Sequence, residues 1–131
     1  MIRIKATTKD ETRRVRRAAN RGTFKSLNQA AATIRLIAKR SIRRRKSPGP
    51  AGQPPRTQTK RLPNSILYFV DRDKQSAIIG PSHRLIGPAG AAHERGGLFR
   101  GRRYPARPFM GPALEKAKPR IPRFWSGSVH N

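Results

Sequence analysis

From Phe24 onward the chain places apolar residues three and four positions apart: Phe24, Leu27, Ala31, Ile34, Ala38 and Ile42 form one continuous stripe. That spacing gathers them on a single face of an α-helix. Lys25, Arg35, Lys39, Arg40 and Arg43 fall on the opposite side. The pattern predicts an amphipathic, strongly cationic helical region over residues 10–46. Thr8 or Asp10 is placed to cap it, and Glu11 suits the positive end of its dipole. Gly22 interrupts the stripe, so the helix is expected to start or bend there, with Val15 and Ala18 in an earlier turn.

Residues 47–61, SPGPAGQPPRTQTKR, end that pattern with four prolines, two glycines and no large apolar residue. They predict an extended Pro/Gly-rich arm, longer than an ordinary connection. Beyond it two apolar runs, Ile66–Val70 and Ala77–Ile79, flank a polar turn at Asp71–Ser76. Ile66, Tyr68 and Val70 alternate with Leu67 and Phe69 at period two, which predicts an antiparallel hairpin ended by Gly80-Pro81. Residues 82–103 are rich in glycine and read mostly as loop, with a short strand around Ala91–Glu94. Tyr104–Arg107 reads as a final edge strand, where proline is tolerated. Pro112–Lys118 reads as a short helix with proline in its first turn, stopped by Pro119. The expected fold class is α+β: a small antiparallel sheet of about four strands, packed by a long N-terminal helix and a short C-terminal helix. One domain covers residues 1–131, comprising an extension (1–9), the helical region (10–46), the arm (47–61), the sheet and C-terminal helix (62–118) and a tail (119–131).

Composition narrows what such a fold does. Of 131 residues, 34% are hydrophobic, so any core is thin and burial is expected to be completed against copies or partners. Lys and Arg number 31 against 6 Asp and Glu, a net charge of +25. A field of that size draws polyanions, nucleic acid first and acidic protein surfaces second. The excess lies in the first half, with 19 basic and 2 acidic side chains in residues 1–61. No cysteine is present, which excludes disulfide and thiolate chemistry. No apolar run reaches membrane-spanning length, and the N-terminus lacks the apolar core of a secretion signal, so a soluble intracellular protein is expected.

Catalytic chemistry finds little support. His93-Glu94-Arg95-Gly96-Gly97 lacks the second histidine that a zinc-hydrolase helix places four residues after the first. His83, His93 and His130 are dispersed, Asp71 and Asp73 are ordinary turn residues, and the glycines do not follow phosphate-loop spacing. No enzyme, cofactor, metal or small-molecule substrate is expected. The basic run Arg40–Lys46 has two readings of equal weight: a nucleic-acid contact that neutralises phosphates, or a solvated helix end favoured by the dipole. With the adjoining arm it supplies Arg40, Arg43, Arg44, Arg45, Lys46, Arg56, Lys60 and Arg61 as candidate contacts to DNA or an acidic partner. Arg100, Arg102 and Arg103 form a weaker second cluster. Phe109, Phe124 and Trp125 read as core or interface anchors, and Leu27, Ile34, Tyr68 and Leu114 join Phe109 in that role.

The order of these features resembles a known family. AKRSI at the helix end, SPGPAGQPPRTQTKRL, SILYFVDRDKQSAIIGP, HERGG and YPARPFMGPAL together resemble the neck, or head-to-tail joining (tail completion), proteins of tailed phages, similar to the lambda minor tail protein Z. The residues carrying it are Leu62 and Ser65-Ile66 at the strand start, His93–Gly97, and the Ala-Arg-Pro-Phe-Met-x-Pro-Ala segment Ala106–Ala113, within a match over roughly residues 27–118. The resemblance implies an α+β subunit of a homo-oligomeric ring of six at the head–tail junction of the virion, assembled in the host cytoplasm. It implies portal, adaptor, head-closure and tail proteins as partners, genomic DNA passing through the channel, and no catalytic residues. The alternative from composition is a non-enzymatic nucleic-acid-binding protein, ribosome-associated or DNA-compacting.

Overall fold

A computed structural model describes residues 2–5, 13–99 and 101–126. The expected cap residues Thr8 and Asp10, with Glu11, lie outside them, as do Arg100 and His130. In chain order the elements are β1 (Ile2–Lys5), α1 (Arg13–Ser41), β2 (Arg43–Arg44), β3 (Arg56–Thr57), α2 (Arg61–Asn64), β4 (Ile66–Asp71), β5 (Ser76–Pro81), α3 (His83–Ile86), α4 (Ala89–Arg95), β6 (Gly97–Phe99), β7 (Arg102–Tyr104), α5 (Met110–Ala117) and α6 (Ile121–Trp125). The fold is α+β, with a three-stranded antiparallel sheet in the order β1-β5-β4.

The hairpin forms where the alternating apolar pattern puts it. Tyr68 lies opposite Ile79 and Val70 opposite Ala77, so Ile66, Tyr68 and Val70 share one face with Ala77 and Ile79. The backbone N–H groups of Asp73 and Lys74 donate to the Asp71 carboxylate, which closes the turn. Helix α1 lies across this face and also packs on α5 and α6. Its stripe is buried as the spacing requires: Leu27, Ala31, Ile34 and Ala38 are at most 1% exposed, and Ile42 is 7%. Phe24 is half-buried, and the Arg72 guanidinium reaches over its ring from the hairpin turn, 3.9 Å from the centroid. Arg35, expected on the solvent side, turns back to donate from Nε to the Ile66 carbonyl at 2.7 Å.

Several expectations change. Helix α1 runs unbroken through Gly22 and stops at Ser41, so Arg43 to Lys46 lie beyond it. Residues 2–5 are an edge strand: Ile2-Arg3-Ile4-Lys5 alternates apolar and basic, and Ile2 and Ile4 pack against the core. Ala91–Glu94 is helix instead of strand, since Ala89–Arg95 is alanine-rich and its flanking glycine, Gly96, ends α4 with a positive φ of 68°. Of the expected edge strand only Tyr104 is in a strand, in the separate two-stranded hairpin β6–β7. The main sheet therefore has three strands instead of four. Within the expected tail, residues 119–126 include α6, which packs on α1, and Ser26 Oγ donates to the Phe124 carbonyl at 2.6 Å. Ile121 and Trp125 lie against the core.

Candidate anion-binding cleft

The segment that shapes the candidate site is Ala106–Gly111. Phe109 is 0% exposed and Met110 1%, at the start of α5. Ahead of them the backbone N–H groups of Phe109, Met110 and Gly111 donate to the two carboxylate oxygens of Glu94, at 2.9, 3.0 and 2.9 Å. Glu94, on α4, thus supplies from another element the acceptor that a helix start normally finds in its own cap residue. Its negative charge also meets the positive end of the α5 dipole. Next to it the His93 carbonyl accepts the Arg107 N–H at 2.6 Å. Gly96 permits the approach, since a Cβ there would sit 2.7 Å from Ala106 N and 2.8 Å from Tyr104 O.

The same segment holds the Pro/Gly arm. The Ala106 carbonyl accepts the Gly52 N–H at 2.8 Å, and Arg107 Nε donates to the Gly49 carbonyl at 2.7 Å. Gly49 and Pro55 are buried. Residues 47–61 are therefore folded back on the body, and β3 pairs in parallel with β2, with Arg43 opposite Arg56 and Arg44 opposite Thr57. The folded-back arm leaves a cleft of about 590 Å³ between itself, the end of α1 and the side of α5. Its walls are Ile37, Pro50 and Pro54; its polar groups are Arg40, Ser41, Arg43, Gln53, Arg56 and Lys116. Among the described residues four cations and no carboxylate line it, an arrangement that favours an anion.

Of the candidate contacts, the fold brings Arg40, Arg43 and Arg56 into this cleft. Arg44, Arg45, Lys46 and Lys60 are exposed outside it. Arg44 Nε donates to the Gln58 carbonyl at 3.1 Å, and the Arg45 guanidinium to the Arg44 carbonyl at 3.3 Å. Arg61 lines a separate hollow of about 440 Å³ with His93 and Leu85. Lys116 was missed by sequence reasoning: it is one basic residue on an ordinary helix, and nothing local ties it to residues 40–56. Among the expected anchors, Leu27, Ile34 and Phe109 are buried and Leu114 is partly buried against the core. Tyr68 is 38% exposed on the edge strand β4, so it is not a core residue.

Burial, and secondarily the Arg107 guanidinium, pushes the His93 imidazole below its ordinary value of 6.5. The folded protein therefore holds fewer protons on this group than the unfolded chain just below pH 6.5. The stability it contributes is complete above that pH and is lost as pH falls towards the folded value. Urea midpoints measured from pH 7.5 to 5 should decline more steeply for the parent than for His93→Gln. Equal declines would remove His93 from the account.

Among the described residues no group of three or more His, Asp or Glu side chains is placed to hold a metal ion, and no helix is long and apolar enough to cross a membrane. Comparison with protein-family models, with curated proteins and with solved structures finds no match.

Proposed function

We propose that this chain is a non-enzymatic structural subunit of a tailed-phage neck, forming a ring of six that joins the DNA-filled head to the tail and lets the genome pass. The observation that carries the reading is the junction at Ala106–Gly111. Three of the segments on which the resemblance rests, the Pro/Gly arm, His93–Gly97 and Ala106–Ala113, are distant in sequence and are joined by hydrogen bonds there. Glu94, Gly96 and Arg107 each have a physical task in it, which supports reading these motif residues as one structural unit. An exposed apolar strip on the outer sheet face, with Leu67 at 45% and Phe69 at 65%, supports a subunit that buries surface on assembly. Acidic surfaces of portal, adaptor or tail proteins, or DNA in the channel, would offset the net charge.

Negative-stain microscopy and native mass spectrometry of the purified chain, alone and with such neighbours, test the reading. Closed rings of six are expected. A monomer under every one of these conditions would sink it. The second reading, a ribosome-associated or DNA-compacting protein, is favoured by the basic cleft alone. It predicts a monomer that binds nucleic acid more tightly than an equally basic control protein.

A further inference from the structure

We infer that the cleft between the end of α1, the folded-back arm and α5 is a phosphate site that grips the phosphodiester backbone of duplex DNA without reading its sequence. The inference stands whether or not the chain forms a ring. The parallel β2–β3 ladder sets Arg43 directly opposite Arg56. Neighbouring strands run about 4.8 Å apart, so the two arginine side chains leave the ladder from adjacent positions, and both line the cleft. Like charges in that position repel and weaken a pair of strands. Arg40 and Lys116 add two further cations around the same volume.

The described residues of the protein offer these four no anion. Among the described residues none of their side chains makes a hydrogen bond or ion pair. The described carboxylates are elsewhere: Glu94 holds the start of α5, Glu115 pairs with Lys118 at 2.7 Å, and Asp71 and Asp73 are in the β4–β5 turn. A two-residue ladder that places arginine against arginine is best accounted for by an external anion bridging them. Three guanidinium forks match phosphate oxygens in pairs, and the ammonium of Lys116 adds a point charge.

The remaining lining separates nucleic-acid backbone from other anions. Among the described residues no aromatic side chain lines the cleft, so they offer no platform on which an unpaired base could stack. Apart from the cations, the described residues offer only the polar side chains of Ser41 and Gln53 there, too few to read base edges. Backbone contact alone is left, and it is equally available on any duplex. An acidic peptide would also meet the cations. However, an extended peptide needs backbone partners, and the one strand pair in this region is two residues long.

Fluorescence anisotropy with a labelled mixed-sequence duplex, titrated over a series of salt concentrations, tests the site. The cleft variant is Arg40→Gln, Arg43→Gln, Arg56→Gln and Lys116→Gln. The charge-matched control replaces four exposed arginines away from it: Arg84→Gln, Arg95→Gln, Arg120→Gln and Arg123→Gln. Each phosphate contact contributes about 0.9 to the slope of log affinity against log salt, so the cleft variant should lose about 3 to 4 from that slope and the control less than about 1. Equal losses in the two would show that net charge alone drives binding, and would overturn the site. A polyglutamate probe whose affinity depends on the cleft, beside a duplex whose affinity does not, would overturn it in favour of an acidic protein partner. Should the fourfold variant fail to fold, Arg56→Gln serves alone. It should raise the melting temperature at low salt by relieving the Arg43–Arg56 repulsion, while reducing the thermal shift produced by added duplex. A lowered melting temperature with an unchanged duplex shift would count against the site.

Discussion

Replacing Phe109 with Ala should destabilise the protein by about 3–5 kcal/mol, with the result at the upper end of that range. The reason is what surrounds it. Among the described residues Phe109 is the only aromatic side chain in the fully buried core, and six of the fourteen buried hydrophobic residues are alanines. Alanine has no rotamer with which to close a gap, so the cavity stays open and the lost contacts are not recovered. Domains of this size have about 5–15 kcal/mol in total, so the variant should lie close to unfolding at ambient temperature. Phe109→Leu keeps most of the volume and should cost about 1–1.5 kcal/mol. Urea denaturation of both measures the effect. An alanine variant within about 1 kcal/mol of the parent would mean that Phe109 is not the centre of the core.

The exposed strip on the outer sheet face raises the opposite question, of what is not buried. Leu67 and Phe69 have the same β4 alternation as Ile66 and Val70 but face away from α1, and Ile78 lies opposite Phe69 on β5. With a third of the residues hydrophobic, this chain leaves large apolar side chains outside a core in which six of the fourteen described buried hydrophobic residues are alanine. That distribution suits a subunit whose folding is completed by assembly.

The parts of this fold legible from sequence are those governed by local period. The α1 stripe is legible because helical spacing alone gathers Leu27, Ala31, Ile34 and Ala38, and the β4–β5 hairpin because period two and an Asp-containing turn fix its register. Ile2-Arg3-Ile4-Lys5 also carried its period, but four residues at a chain end give no sign of the strand they will meet. The Pro/Gly arm is legible only as an extended segment, because proline and glycine report no more than that no regular element continues. Its position is set by Ala106 and Arg107, about fifty residues away, through two hydrogen bonds that no spacing rule encodes. The cleft inherits that invisibility: Arg40, Arg43 and Arg56 were legible as basic residues, and their meeting with Lys116 was not.

Glu94→Ala should be the most damaging substitution outside the apolar core, with a loss of about 3 kcal/mol. Three backbone N–H groups at the start of α5 would lose their acceptor together, in a part-buried position that water refills poorly. Removing an ordinary cap side chain costs about 1 kcal/mol, and here the acceptor is charged and serves three donors at once. Glu94→Gln separates charge from shape: it keeps one acceptor oxygen but turns an amide N–H₂ towards the remaining donors, so a loss of about 2 kcal/mol is expected. The damage should also spread in a predictable order. Helix α5 carries Met110, Ala113 and Ala117 into the core and Lys116 into the cleft, and the neighbouring Ala106-Arg107 pair holds the arm. Hydrogen exchange of the Phe109, Met110 and Gly111 amides should accelerate first, followed by that of Gly52, whose acceptor is the Ala106 carbonyl. If Glu94→Ala left those amides as protected as in the parent, the carboxylate would not be the cap of α5, and the junction would have to be held by the burial of Phe109 alone.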